Sequence, residues 1–141
     1  MQDIKIQDQS PHCSKPVLGA VPSSEVYLED CVTALKRYAD NHFDLAIVDP
    51  PYGIGAENHA GNVDNGWKQW TKKSWDTSIP DAEYFEQLFR VSKNQIIWGA
   101  NYFVEHINKP TKGWVVWYKG QEGLTMSDAE LAFSSFDSAT R

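Results

Sequence analysis

The chain has 141 residues, 41% of them hydrophobic and 23% charged, which is the size and composition of a single soluble domain able to bury a core. No apolar run approaches the ~20 residues that span a bilayer, and Met1-Gln2-Asp3-Ile4 lacks the basic and apolar regions of a secretory signal, so a cytoplasmic location is expected. A net charge of −6 argues against a stand-alone DNA binder, which holds phosphates on a basic surface, but not against an enzyme whose DNA-gripping part lies elsewhere.

In chain order, residues 1–24 are polar and punctuated by Pro11, Pro16, Gly19 and Pro22, and are expected to form an N-terminal arm. His12 and Cys13 adjoin there, but no second ligand pair follows, so no metal site is expected. Residues 25–141 are expected to form the domain proper. Val26-Tyr27-Leu28 is a short β-prone run. A helix is expected over Cys31–Ala39, with Val32, Leu35 and Ala39 on one face. Phe43-Asp44-Leu45-Ala46-Ile47-Val48 then reads as a strand buried on both faces of a parallel sheet. Strand, helix and strand in so short a stretch make a βαβ unit.

Residues 53–78 have little periodicity and are expected to form a long loop, of the kind that is either functional or disordered. A second helix is expected from about Ser78-Ile79-Pro80-Asp81 to Val91, burying Ala82, Phe85, Leu88 and Phe89. Further strands are expected at Gln95–Trp98, Gly113–Tyr118 and Ala129–Ser134, the last two as an antiparallel pair at one edge. The fold class that follows is α/β, with a mostly parallel sheet.

The chemistry concentrates in Asp49-Pro50-Pro51-Tyr52-Gly53, directly after the apolar strand, at the end of a sheet where ligands bind in open α/β folds. Two prolines stiffen the loop and remove two amide donors, leaving carbonyls as acceptors. Asp49 adds a carboxylate and Tyr52 a flat ring. A fitting substrate is flat, stacks on the tyrosine and donates two hydrogen bonds from one nitrogen. The exocyclic amino group of adenine or cytosine meets all three conditions. Accepting both N–H groups, on Asp49 Oδ and the Pro50 carbonyl, raises electron density at a nitrogen that is otherwise a poor nucleophile. Positive charge grows on that nitrogen as it attacks a sulfonium methyl, and fixed acceptors stabilise it.

The stretch Leu28-Glu29-Asp30-Cys31, followed by Phe43 to Tyr52, resembles the start of DNA amino-methyltransferases of the circularly permuted (β) group. Ile96-Ile97-Trp98-Gly99-Ala100-Asn101-Tyr102-Phe103, Trp114 to Gly120 and Asp128 to Phe133 are similar to later blocks of that family in the same order. The resemblance covers about residues 25–136. It implies a partial Rossmann-like methyltransferase sheet, S-adenosylmethionine as cofactor and double-stranded DNA as partner. It also implies roles: Asp49, Pro50, Pro51 and Tyr52 would hold and stack a flipped base, with Asp49 and Pro50 also reaching the cofactor. Asp30 would bind the cofactor's adenine amino group, beside the Cys31 amide; on its own pattern, Asp30 reads equally as a helix N-cap. Tyr52 with Asp49 favours adenine N6 over cytosine N4. Tyr102 and Phe103 read equally as pocket lining or as core.

Lys68, Lys72 and Lys73, interleaved with Trp67 and Trp70, read as a DNA-contacting loop or as a merely solvated one. The family's Gly-rich turn, commonly Phe-x-Gly-x-Gly, is not among the nine glycines. The chain is therefore expected to be the N-terminal catalytic part of such an enzyme, or a decayed module. Methylation of RNA or protein by the same loop is a further reading. Without the strands of the missing part, the strand at 43–48 is expected to have an unpaired edge. Residues 26–29 would then swing in or float, or a complementary fragment or second copy would cover the edge.

Overall fold

A computed structural model describes residues 23–56, 74–123 and 127–140. The elements are helix α1 (Cys31–Leu35), strand β1 (Ala46–Val48), helix α2 (Ala82–Val91), strand β2 (Gln95–Trp98), a 3₁₀ turn (Ala100–Tyr102), helix α3 (Val104–Ile107), and strands β3 (Gly113–Tyr118) and β4 (Ala129–Ser134). They build one four-stranded sheet in the order β1-β2-β4-β3. Among the described residues, no helix is long and apolar enough to cross a membrane.

The expectation of a mostly parallel, Rossmann-like sheet is overturned. Only β1 and β2 pair in parallel; β4 runs antiparallel to both β2 and β3, so the sheet is mixed. The chain between β3 and β4 is short enough to fold back as an antiparallel return. That return strand then inserts beside β2 and leaves β3 outside. Val26, Tyr27 and Leu28 form no strand either: Val26 and Leu28 are almost wholly exposed. Among the described residues β1 pairs with β2 alone, and Ile47 points away from the helices with 63% of its surface exposed.

Helices α1 and α2 are each capped by an aspartate. Asp30 Oδ1 accepts from the Thr33 amide at 2.8 Å, and Asp81 Oδ1 from the Tyr84 amide at 3.1 Å, each satisfying a donor that the helix leaves unpaired. The first helix stops at Leu35, short of the expected Ala39. Arg90 draws away its terminal carbonyls: Nη2 donates to Leu35 O and Nη1 to Tyr38 O, and Nη1 also meets Asp40. The backbone after Leu35 tightens into i→i+3 bonds, Arg37 to Ala34 and Tyr38 to Leu35. The strand expected over 43–48 is likewise shortened. Phe43 makes an isolated parallel bridge to Ser92, and the regular ladder begins at Ala46.

The amphipathic α2 buries Tyr84, Phe85, Leu88 and Val91, while Ala82, expected inside, is exposed and Phe89 is half-buried. Phe85 and Leu88 pack on Ile97 and Phe133 of the sheet and on Ala100, Phe103 and Ile107. Burial of these side chains is the main source of stability for the domain. Ala46 and Val48 lie on the same side, which fixes Ile47 on the opposite, open side by strand alternation.

Tyr84 is held in this core with its hydroxyl pushed up to about 12, by burial first and by the nearby Cys31 second. Its folded-state value is raised, so the neutral form favours folding. That contribution is complete below the unfolded value near ~10 and is lost as pH rises towards the folded one, a loss on the order of 2–3 kcal/mol. The Tyr84→Phe variant, which cannot ionise there, should stay folded to higher pH when unfolding is followed by circular dichroism. An unchanged alkaline midpoint would exclude Tyr84 as a contributor.

Candidate functional site

Since β3 and β2 both run opposite to β4, the strands β1, β2 and β3 share one direction, and their carboxyl ends meet at one rim of the sheet. Asp49 leaves β1 there, Gly99 leaves β2 and Lys119 leaves β3, with Glu130 near the start of β4. A rim of this kind gathers side chains from segments far apart in sequence.

Asp49 and Tyr52 meet directly. The Tyr52 hydroxyl donates to Asp49 Oδ1 at 2.7 Å. The tyrosine ring lies across Gly99 and stacks on Tyr102, with centroids 5.0 Å apart and planes within 15°; Phe103 meets it edge-on at 6.0 Å. Gly99 has φ +66, and a Cβ built on it would stand 2.1 Å from the Tyr52 ring. Only glycine allows both that backbone and that approach. Burial raises the Tyr52 hydroxyl, with Asp49 next and Glu130 contributing, so the group stays a protonated donor across the physiological range. Pro50 is buried and Pro51 half-buried, as a rigid link between the carboxylate and the ring requires.

Glu130 forms an ion pair with Lys119, whose ammonium also lies 5.7 Å from the Trp117 ring centre. Trp117 meets Trp98 edge-on across β3 and β2. The rim therefore offers aromatic surface beside two carboxylates and one cation.

The loop is held from beneath by Asp76. Its Oδ1 accepts the Gly53 amide and its Oδ2 the Ala56 amide, each at 2.8 Å, and its carbonyl accepts the Gly55 amide at 3.0 Å. The side chain is 1% exposed. Burial alone would raise its carboxyl, yet the amides of Ala56, Gly53, Tyr52 and Ile54 outweigh it and hold the group below the usual carboxylate range. Sequence reasoning missed Asp76, placing it in an undifferentiated loop. The signal was indirect: Gly53 and Gly55 both adopt positive φ, and a turn of that kind aims several amides inward that need an acceptor. Which acceptor serves is a tertiary matter.

Asp30 and Cys31 are not drawn into this arrangement. Asp30 is exposed and caps α1, and no hydrogen bond or ion pair joins Asp30 or Cys31 to residues 49–52 among the described residues. Lys68, Lys72 and Lys73 lie outside the described residues, as do His12 and Cys13. Tyr102 resolves as half-exposed stacking partner and Phe103 as buried core. Among the described residues, no cluster of His, Cys, Asp or Glu could hold a metal ion. A cavity of about 260 Å³ opens under α3, lined by Ala100, Val104, Ile107, Asn108, Trp114 and Phe133 among others.

The described residues do not make a complete site for S-adenosylmethionine. The Asp30 carboxylate is engaged by its own helix, no Gly-rich turn is present in the sequence, and the cavity does not include Asp49 or Tyr52. What they do form is an acceptor and a ring suited to a flat, hydrogen-bond-donating group. Comparison with protein-family models gives no match, and comparison with curated proteins gives none.

Proposed function

We propose that this chain carries the base-handling part of a DNA amino-methyltransferase that modifies adenine at N6. The observation that carries the reading is the meeting of the Asp49 carboxylate with the Tyr52 ring, stacked on Tyr102, at the carboxyl rim of the sheet. A flipped adenine entering there stacks on an aromatic face and gives its amino protons to Asp49 and the Pro50 carbonyl. These acceptors orient the nitrogen lone pair and stabilise the positive charge that develops as a methyl is attached. S-adenosylmethionine, bound jointly with residues beyond those described, would supply that methyl from its sulfonium and leave as the neutral thioether, and the methylated nitrogen would release one proton to solvent. Double-stranded DNA is the proposed partner. With a chain charge of −6, its phosphate grip is assigned to Lys68, Lys72 and Lys73 or to a further chain.

A second reading is a fragmentary or decayed module without activity, favoured by the engagement of Asp30 as a helix cap and by the edge of β1 that no strand among the described residues pairs. Incubation with methyl-labelled S-adenosylmethionine and duplex DNA decides between them. Label is expected on adenine N6. Label on cytosine N4 reassigns the base, and preferential label on RNA or protein removes DNA as substrate. No label anywhere, with no heat on calorimetric titration of the cofactor, sinks the enzymatic reading.

A further inference from the structure

We propose that Asp76 is the positioning residue of the transfer site: its buried carboxylate fixes residues 52–56 so that the Tyr52 ring is presented beside Asp49. The inference rests on the methyltransferase reading for its functional limb, and on geometry alone for its structural one.

Asp76 is the most enclosed carboxylate among the described residues, and no lysine or arginine among them pairs with it. Its partners are backbone amides instead. Gly53 and Ala56 each give a hydrogen bond to a different oxygen, and Gly55 gives one to the main chain of the same residue. Amides converging on one anion form the concavity that elsewhere binds phosphate or a free carboxylate. Here the chain fills it from 20 or more residues away in sequence. A charged acceptor makes stronger bonds than a neutral one, and in this enclosed place water does not compete.

The link to the site is short. Gly53 is bonded to Tyr52, so holding the Gly53 amide fixes the peptide plane on which the tyrosine turns. Gly53 also lies against the backbone just past Asp76: a Cβ there would stand 3.0 Å from Ile79 N and 3.3 Å from Ser78 C. The Ile79 side chain closes on the same point, with Cγ2 3.3 Å from that Cβ, so the loop lies tightly on the segment that follows its anchor. Asp76 itself cannot touch a substrate, since both oxygens face the loop and the side chain is enclosed. An asparagine of equal size would accept one of the two amides and turn an N–H towards the other, leaving a buried donor without a partner.

The test is Asp76→Asn, read by amide hydrogen exchange and by transfer kinetics. Exchange at Gly53 and Ala56 should speed up by about tenfold or more, while Ile97 and Phe133 in the sheet stay within about twofold of wild type. Transfer per folded molecule should fall by about tenfold or more with KM for DNA within about twofold, the pattern of a lost transition-state arrangement. Unchanged exchange at Gly53 and Ala56 overturns the proposal, as does equal acceleration at Ile97 and Phe133, or full transfer despite lost protection. If the variant does not fold, wild-type ¹⁵N–¹³C couplings across the hydrogen bonds from Gly53 and Ala56 to the Asp76 carboxyl carbon take its place, and their absence overturns the proposal. A wild-type chain that transfers no methyl would sink the methyltransferase reading, and the exchange result would still judge the anchoring on its own.

Discussion

Replacement of Asp49 by alanine should lower methyl transfer to adenine N6 by about 10³-fold while the chain stays folded. The carboxylate is exposed, and among the described residues its side chain bonds to the neighbouring Tyr52 hydroxyl, so its removal opens no cavity in the core. On the proposed mechanism, what would be lost is an acceptor aimed at a nitrogen that becomes positive during reaction. A fixed anion at that place stabilises the transition state more than the ground state, so the fall should appear in kcat rather than KM. Asp49→Asn keeps one acceptor oxygen and should fall between the two. Transfer retained in the alanine variant, measured with labelled cofactor and thermal unfolding in parallel, would remove Asp49 from the mechanism.

Gly99→Ala should be the more disruptive change for both fold and site. An alanine at φ +66 is strained by about 1–2 kcal/mol. Its methyl would also stand 2.1 Å from the Tyr52 Cε1, an overlap of the kind that costs about 1–3 kcal/mol to relieve. The ring must leave Gly99, and with it the stack on Tyr102. A destabilisation of about 2–5 kcal/mol, with loss of transfer, is the expected result. A double-mutant cycle locates the cause: in a Tyr52→Ala background the overlap is gone, so Gly99→Ala should cost only the backbone strain. Equal destabilisation in both backgrounds would show that the tyrosine is not what excludes a side chain at Gly99.

Much of the local structure is legible in the residues. The strands at Gln95–Trp98, Gly113–Tyr118 and Ala129–Ser134 carry dense apolar or β-branched patterns and form where those patterns lie. Helix α2 is bounded by Asp81 and by the end of its apolar stripe at Val91. Neighbour choice is not legible. Ala129-Glu130-Leu131-Ala132-Phe133-Ser134 pairs with β2 on one side and β3 on the other, yet nothing in six residues specifies two partners. Direction and order follow from loop reach and from which faces meet α2. The shortened first helix depends on Arg90, some fifty residues downstream, and the shape of the 49–56 loop on Asp76. Of the candidate site, Asp49 and Tyr52 could be picked out because their types and stiff spacing carry a chemistry. Asp76 acts only by where the chain brings it. Asp30 shows the converse: one residue pattern serves as cap or as ligand, and its observed bond is that of a cap.

The contact between the Tyr52 hydroxyl and the Asp49 carboxylate means that the resting loop already holds a placeholder proton where a guest would put its own. On the proposed function, admission of a base would be an exchange of one donor for another, nearly neutral in hydrogen bonding. The driving force would then come from the faces of the rings. Selection at this corner would accordingly rest first on flatness and only afterwards on the pattern of donors.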